Sequence, residues 1–252
     1  TSNESSRFIC VYISGYYLIN NKCLTQNSSI MIQLEKGQNA KLNMDMFYVG
    51  LGWDVREDKT SNEDFDLDVC AFMVGANDKV LTDDYFVFYN SQKRLKVVNG
   101  QTIKTIVSSS LWFDDNEKMR HESRPTDPEI SVIGSIDDED GATSEDGDDE
   151  TMDIDLTRVR SDVQKIVICV SIYHAEERHQ NFGQVERAYV RLYKQGQADG
   201  DGEYIYDLTE DFSACTAVEF CQLYRHNGEW KVKALGNGYK GGLQELLNKY
   251  TI

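Results

Sequence analysis

Hydrophobic and polar positions alternate most regularly over residues 185–193. Ala188, Val190 and Leu192 fall on one side of an extended chain, and Arg187, Tyr189 and Arg191 on the other. That period of two is the mark of a half-buried strand. Shorter stretches near 47–51, 68–74, 85–89, 217–225 and 229–235 predict further strands. Ile166-Val167-Ile168-Cys169-Val170 is apolar in both parities, which predicts a central strand covered on both faces. Helical spacing is confined to the C-terminus, where Leu243, Leu246, Leu247 and Tyr250 share one face behind Gly241-Gly242. Many short strands and little helix predict an all-β fold: a β-sandwich of two mainly antiparallel sheets with a few short helices, one of them C-terminal.

Two segments interrupt the pattern. Residues 137–150 (DDEDGATSEDGDDE) hold no basic and no large apolar side chain, a composition that by itself reads as a disordered loop. The preceding stretch, 91–136, mixes strand-like runs (103–107, 130–133) with polar turns and both prolines, Pro125 and Pro128. It reads as the body of an insertion at about 91–146.

Composition changes the picture in one respect. A chain of 252 residues with 40% hydrophobic and 11% aromatic content is that of an ordinary folded protein. Its formal net charge of −17 is less ordinary. Such a charge repels nucleic acid and anionic membrane, so neither is an expected partner. The apolar run 8–19 is too short to span a bilayer and lacks the flanks of a signal peptide. Of the cysteines Cys10, Cys23, Cys70, Cys169, Cys215 and Cys221, none forms a CxxC pair, and Cys70 and Cys169 lie in apolar runs. That usage reads as buried thiols in a reducing compartment, the cytoplasm.

Where the acids sit matters more than their number. Asp64-Phe65-Asp66-Leu67-Asp68 leads into the apolar run Val69-Cys70-Ala71-Phe72, and alternation in a strand places Asp64, Asp66 and Asp68 on one side. Like charges beside buried apolar residues are costly unless compensated, and a bound cation would compensate them. A solvated strand end with ordinary turn aspartates accounts for the same residues without a ligand. Gly147-Asp148-Asp149-Glu150 precedes a second strand-like segment, Met152-Asp153-Ile154-Asp155-Leu156, and two strand starts in a sandwich can meet at one end. Calcium takes six to eight oxygens from carboxylates, carbonyls and water. The pattern is not that of an EF-hand. With four histidines, none spaced with a cysteine as a ligand pair, it does not suit zinc; magnesium stays open. His174, His179 and His226 read as surface loop residues.

These residues also resemble a known family. Leu34-Glu35-Lys36-Gly37-Gln38-Asn39, Gly50-Leu51-Gly52-Trp53-Asp54, the Asp64–Asp68 run, Phe86-Val87-Phe88-Tyr89-Asn90 and Gly147-Asp148-Asp149-Glu150 are similar to motifs of the TerD-like tellurite-resistance and stress-response proteins. Asn181-Phe182-Gly183-Gln184-Val185, Tyr206–Asp211, Glu219–Trp230 and Gly238–Leu243 continue the series. The likeness starts near Ile32, which implies a domain over 31–252 and an extension, 1–30, outside the fold. The resemblance implies a β-sandwich that binds calcium at acidic loops. By position it implies ligands among Asp66, Asp68, Asp148, Asp149 and Glu150, with Asp54, Asp64 and Asn90 in matching motifs, and backbone carbonyls near Leu67. It also implies a non-catalytic sensor or scaffold, partnered by other proteins of a tellurite-resistance system, some membrane-linked. The chain departs from the family where Asp138–Glu145 replaces a GDN-x-TGEG-like loop. An alternative function, a metal-dependent hydrolase, would draw on the same carboxylates.

Overall fold

A computed structural model of the chain describes residues 17–19, 22–24, 32–55, 65–112, 116–136, 148–194, 204–207 and 212–251. The chain divides into two units, residues 1–30 and 31–252. In the first, the strands β1 (Tyr17–Ile19) and β2 (Lys22–Leu24) pair antiparallel. The second begins with β3 (Ile32–Gln33), β4 (Asn39–Lys41), β5 (Met46–Val55), β6 (Leu67–Val74) and β7 (Phe86–Val87). There follow β8 (Lys93–Val98), β9 (Gln101–Ser108), the short helices α1 (Ser109–Trp112) and α2 (Asn116–Glu122), β10 (Ser123–Pro125) and β11 (Val132–Ile133). The rest comprises β12 (Glu150–Asp155), β13 (Lys165–Ile172), β14 (Val185–Tyr193), β15 (Tyr204–Asp207), β16 (Ala217–His226), β17 (Glu229–Tyr239) and the helix α3 (Gly242–Tyr250).

Two six-stranded sheets make the sandwich, in the orders β11-β12-β5-β14-β15-β3 and β4-β17-β16-β13-β6-β7. Every pairing in them is antiparallel except β15 with β3. Alternation explains how the first sheet faces inward. Phe47, Val49, Leu51 and Trp53 of β5 are buried, as are Ala188, Val190 and Leu192 of β14 and Met152 and Ile154 of β12. In the second sheet β13 lies between β6 and β16, and its apolar residues Ile166 to Val170 are all buried. The face of that sheet away from the sandwich interior is closed by α3, whose Tyr250 ring lies 4.9 Å from Phe72. Cys70, Cys169 and Cys221 are buried within this sheet.

A third sheet, β10-β8-β9, occupies the stretch between β7 and β12. An isolated bridge from Thr126 to Ile133 continues it toward the first sheet. Two expected strands are shorter than their apolar runs. The run at 85–89 gives only β7, because Ser91 turns the chain: its hydroxyl accepts from the Phe88 N–H at 3.1 Å and its N–H donates to the Phe88 carbonyl at 3.0 Å. The run at 130–133 gives only β11, because the buried Asp127 carboxylate holds the N–H groups of Glu129, Ser131 and Val132 in a loop.

Candidate functional site

The starts of β6 and β12 meet at one end of the sandwich. Strand β7 pairs with β6 only at Ala71 and Phe72. Further along β6, the N–H of Val69 is taken instead by Glu150 Oε2, at 2.6 Å. One residue earlier, Asp149 Oδ2 accepts from the N–H of Trp53 at 2.9 Å, which ties the start of β12 to the end of β5. The carbonyl of Asp66 accepts from the N–H of Tyr173 at 2.8 Å, closing the β6–β13 edge. Asp66, Asp68 and Glu150 are each 4% exposed, and Glu150 is the one whose carboxylate spans from the first sheet to the second. Asp66, Asp68, Asp149 and Glu150 make further interactions as well.

Asp148 goes elsewhere. The chain bends at Asp149, and the Asp148 carboxylate lies over β5 on the outer face of the first sheet. Arg191 of β14 holds it there: Nε donates to Oδ1 at 2.8 Å and Oδ2 at 3.0 Å, and Nη2 donates to Oδ2 at 2.8 Å. The Tyr189 hydroxyl adds a bond to Oδ1 at 3.0 Å. Burial disfavours the Arg191 charge, but the Asp148 bonds outweigh it and raise the guanidinium above its ordinary value. Burial together with the Asp148 charge likewise pushes the phenols of Tyr189 and Tyr193 up. Two glycines make the arrangement possible. A Cβ at Gly50 would overlap the Asp148 carboxylate, and one at Gly52 would overlap the Tyr189 ring.

Of the residues singled out in the sequence, the structure thus joins Glu150 to the start of β6 at Val69, ties Asp149 to Trp53 and turns Asp148 toward Arg191. The antiparallel register of β7 on β6 carries the chain back toward the same end, where Asn90 lies exposed in a turn. The backbone of Asp54 pairs with Glu186; its side chain, Asp64 and residues 137–147 lie outside the described residues. Among the described residues, no three His, Cys, Asp or Glu side chains are grouped to hold a metal ion by themselves. A cation at this end would draw on backbone carbonyls and water too, as calcium does. Sequence reasoning missed the basic neighbours. Arg120 of α2 lies 5.0 Å from the Tyr89 ring and 5.1 Å from the Tyr173 ring, at cation–π range of both. The only sequence signal for Arg191 was its place on the polar side of β14.

A profile of the TerD domain matches residues 30–103 and 101–250. The chain is 40% identical over 228 residues to "Tellurium resistance protein TerD" of Serratia marcescens, covering 88% of this chain and 97% of that protein. It is 36% identical over 227 residues to "General stress protein 16U" of Bacillus subtilis (strain 168), again with 88% and 97% covered. A crystal structure of a TerD homologue from Streptomyces coelicolor A3(2) superposes with a TM-score of 0.48 at 16% identity, over 83% of this chain and all of that one.

Proposed function

The chain belongs to the TerD domain family, and from that premise and the geometry of its strand starts we propose that it is a calcium-binding stress-response protein. In this reading it acts as a non-catalytic sensor or scaffold in the cytoplasm, alongside other proteins of a tellurite-resistance system. The observation that carries it is the burial of three acids at the starts of strands β6 and β12, Asp66, Asp68 and Glu150, each 4% exposed. Carboxylates so placed are hard oxygen donors, the kind calcium selects. With Asp149 they are the side chains that would hold the ion. Asp148, expected in the same ligand set, has its charge already met by Arg191.

Calcium that binds only the folded chain adds RT ln(1 + [L]/Kd), about 2.7 kcal/mol at a hundredfold excess over Kd. Thermal denaturation of the full chain in calcium, magnesium and chelator reads this directly. Calcium is expected to raise the midpoint of the wild type and to leave that of the double variant Asp66→Asn, Asp68→Asn where the chelator leaves it. A wild-type midpoint indifferent to calcium would sink the proposal. An equal rise in magnesium at the same concentration would keep the site and remove calcium from it.

A further inference from the structure

Away from those strand starts, the outer face of the first sheet holds a cavity of about 160 Å³. Its lining includes Met46 and Tyr48 of β5, Asp153 and Asp155 of β12, Ile133 of β11 and Lys104 of β9. The sandwich therefore supplies one side and the stretch between β7 and β12 the other. Lys104 belongs to an irregular part of the β8–β9 pairing. Leu95 faces Ile106 and Val97 faces Thr102, so Ile103, Lys104 and Thr105 stand opposite Lys96 alone. A bulge of this kind re-aims side chains and is common beside binding sites.

The charges lining the cavity differ in what they already do. Asp153 is committed to Arg124, with Nη2 to Oδ1 at 2.7 Å. Asp155 uses Oδ1 to accept from the N–H and hydroxyl of Thr157, at 3.1 and 2.6 Å. Its Oδ2, the ammonium of Lys104 and the hydroxyl of Tyr48 have no hydrogen-bond partner among the described residues. One cation, one anion and one phenol thus remain, with the apolar side chains of Met46 and Ile133 beside them. Met46 is 55% exposed, so the cavity is open to solvent there.

We propose that this cavity binds a small zwitterion of the free amino-acid class, its carboxylate against Lys104 and the Tyr48 hydroxyl and its ammonium against Asp155. Charge balance selects the class. A simple anion would meet Asp155 and a simple cation would meet Lys104, each a like-charge contact, whereas a zwitterion meets neither. At about 160 Å³ the cavity lies below the roughly 300–1,000 Å³ of pockets for drug-sized ligands, which suits a ligand of few heavy atoms. The proposal is independent of the calcium reading and shares no residue with it.

Isothermal titration of the full chain with glycine, L-alanine, acetate and methylamine tests it, with the methyl resonance of Met46 followed by NMR. Glycine or L-alanine is expected to saturate and to shift that resonance, and the singly charged analogues to bind at least about tenfold more weakly. Lys104→Met and Asp155→Asn should each weaken amino-acid binding by about tenfold, the loss of one charge-assisted hydrogen bond. Tyr48→Phe should weaken it several-fold with its thermal midpoint unchanged, and the exposed Lys36→Met should leave it intact. Failure of both amino acids to bind at millimolar concentration overturns the proposal. So does acetate binding as tightly as L-alanine with no response to Asp155→Asn.

Discussion

Asp148 and Glu219 are buried carboxylates on opposite outer faces of the sandwich, and they are neutralised in different ways. Asp148 lies over the first sheet and is held by an arginine of a neighbouring strand, 6% exposed at its side chain against 3% for the aspartate. Glu219 lies on the second sheet under α3. It accepts from Lys249 Nζ and Tyr250 Oη, both at 2.5 Å, and from Asn237 Nδ2 at 3.0 Å. Its cation is 43% exposed. The first pair is a closed ion pair between the segment leading into β12 and strand β14, fixed by two glycines. The second is a latch between a sheet and a terminal helix, with its positive end in water. An acid rich in nearby motifs is therefore not a ligand by that fact alone; what decides is whether the chain brings its own cation.

The largest effect is expected where the closed pair is broken. Arg191→Met leaves the Asp148 charge buried without its cation and should cost about 3–5 kcal/mol in urea denaturation. Replacing both partners, Asp148→Leu with Arg191→Met, should restore much of that loss, because no uncompensated charge remains. A double variant as unstable as the single one would show that lost packing, not charge, was the cause. A smaller loss, about 1–3 kcal/mol, is expected for Gly50→Ala, since the new methyl group must displace the Asp148 carboxylate. A neutral Gly50→Ala would mean that β5 does not set the position of that carboxylate.

The two regions differ as much in how they could be read from the chain. Strand parity is a local property, so β14, β16, β17 and the two-sided burial of β13 follow from residues a few positions apart. Helical spacing placed α3 over Gly242–Tyr250 in the same way. The partner of Asp148 is 43 residues away and reaches it across β5. No local pattern encodes that, although glycines at alternate positions of an apolar strand, Gly50 and Gly52, are a signal that something polar approaches closely. Glu219 had its own signal, a single acid inside Ala217-Val218-Glu219-Phe220-Cys221, an acid that burial would leave in need of a donor. The bulge at Ile103–Thr105 carries neither glycine nor proline and depends on pairing with β8, so the cavity beside Lys104 was not legible.

The smallest effect sharpens the comparison through pH. Burial pushes the Glu219 carboxyl up, but the donors Asn237, Lys249 and Tyr250 outweigh it and hold it below its ordinary value. A depressed carboxyl contributes stability that is fully present above its unfolded value, near 4.3 for glutamate, and is lost as pH falls through the lower folded value. Lys249 has the mirror dependence. Burial lowers it, the bond to Glu219 raises it further, and its share of the stability is lost only in alkali. Glu219→Gln keeps the shape and an acceptor but not the charge, and should cost about 1 kcal/mol at neutral pH. The gap between wild type and variant should then close as urea denaturation is repeated at pH 5, 4 and 3. A gap that stays constant across that range would mean that the helix is held by the Tyr250 and Asn237 bonds alone, and that the latch, unlike the Asp148 pair, owes little to its charge.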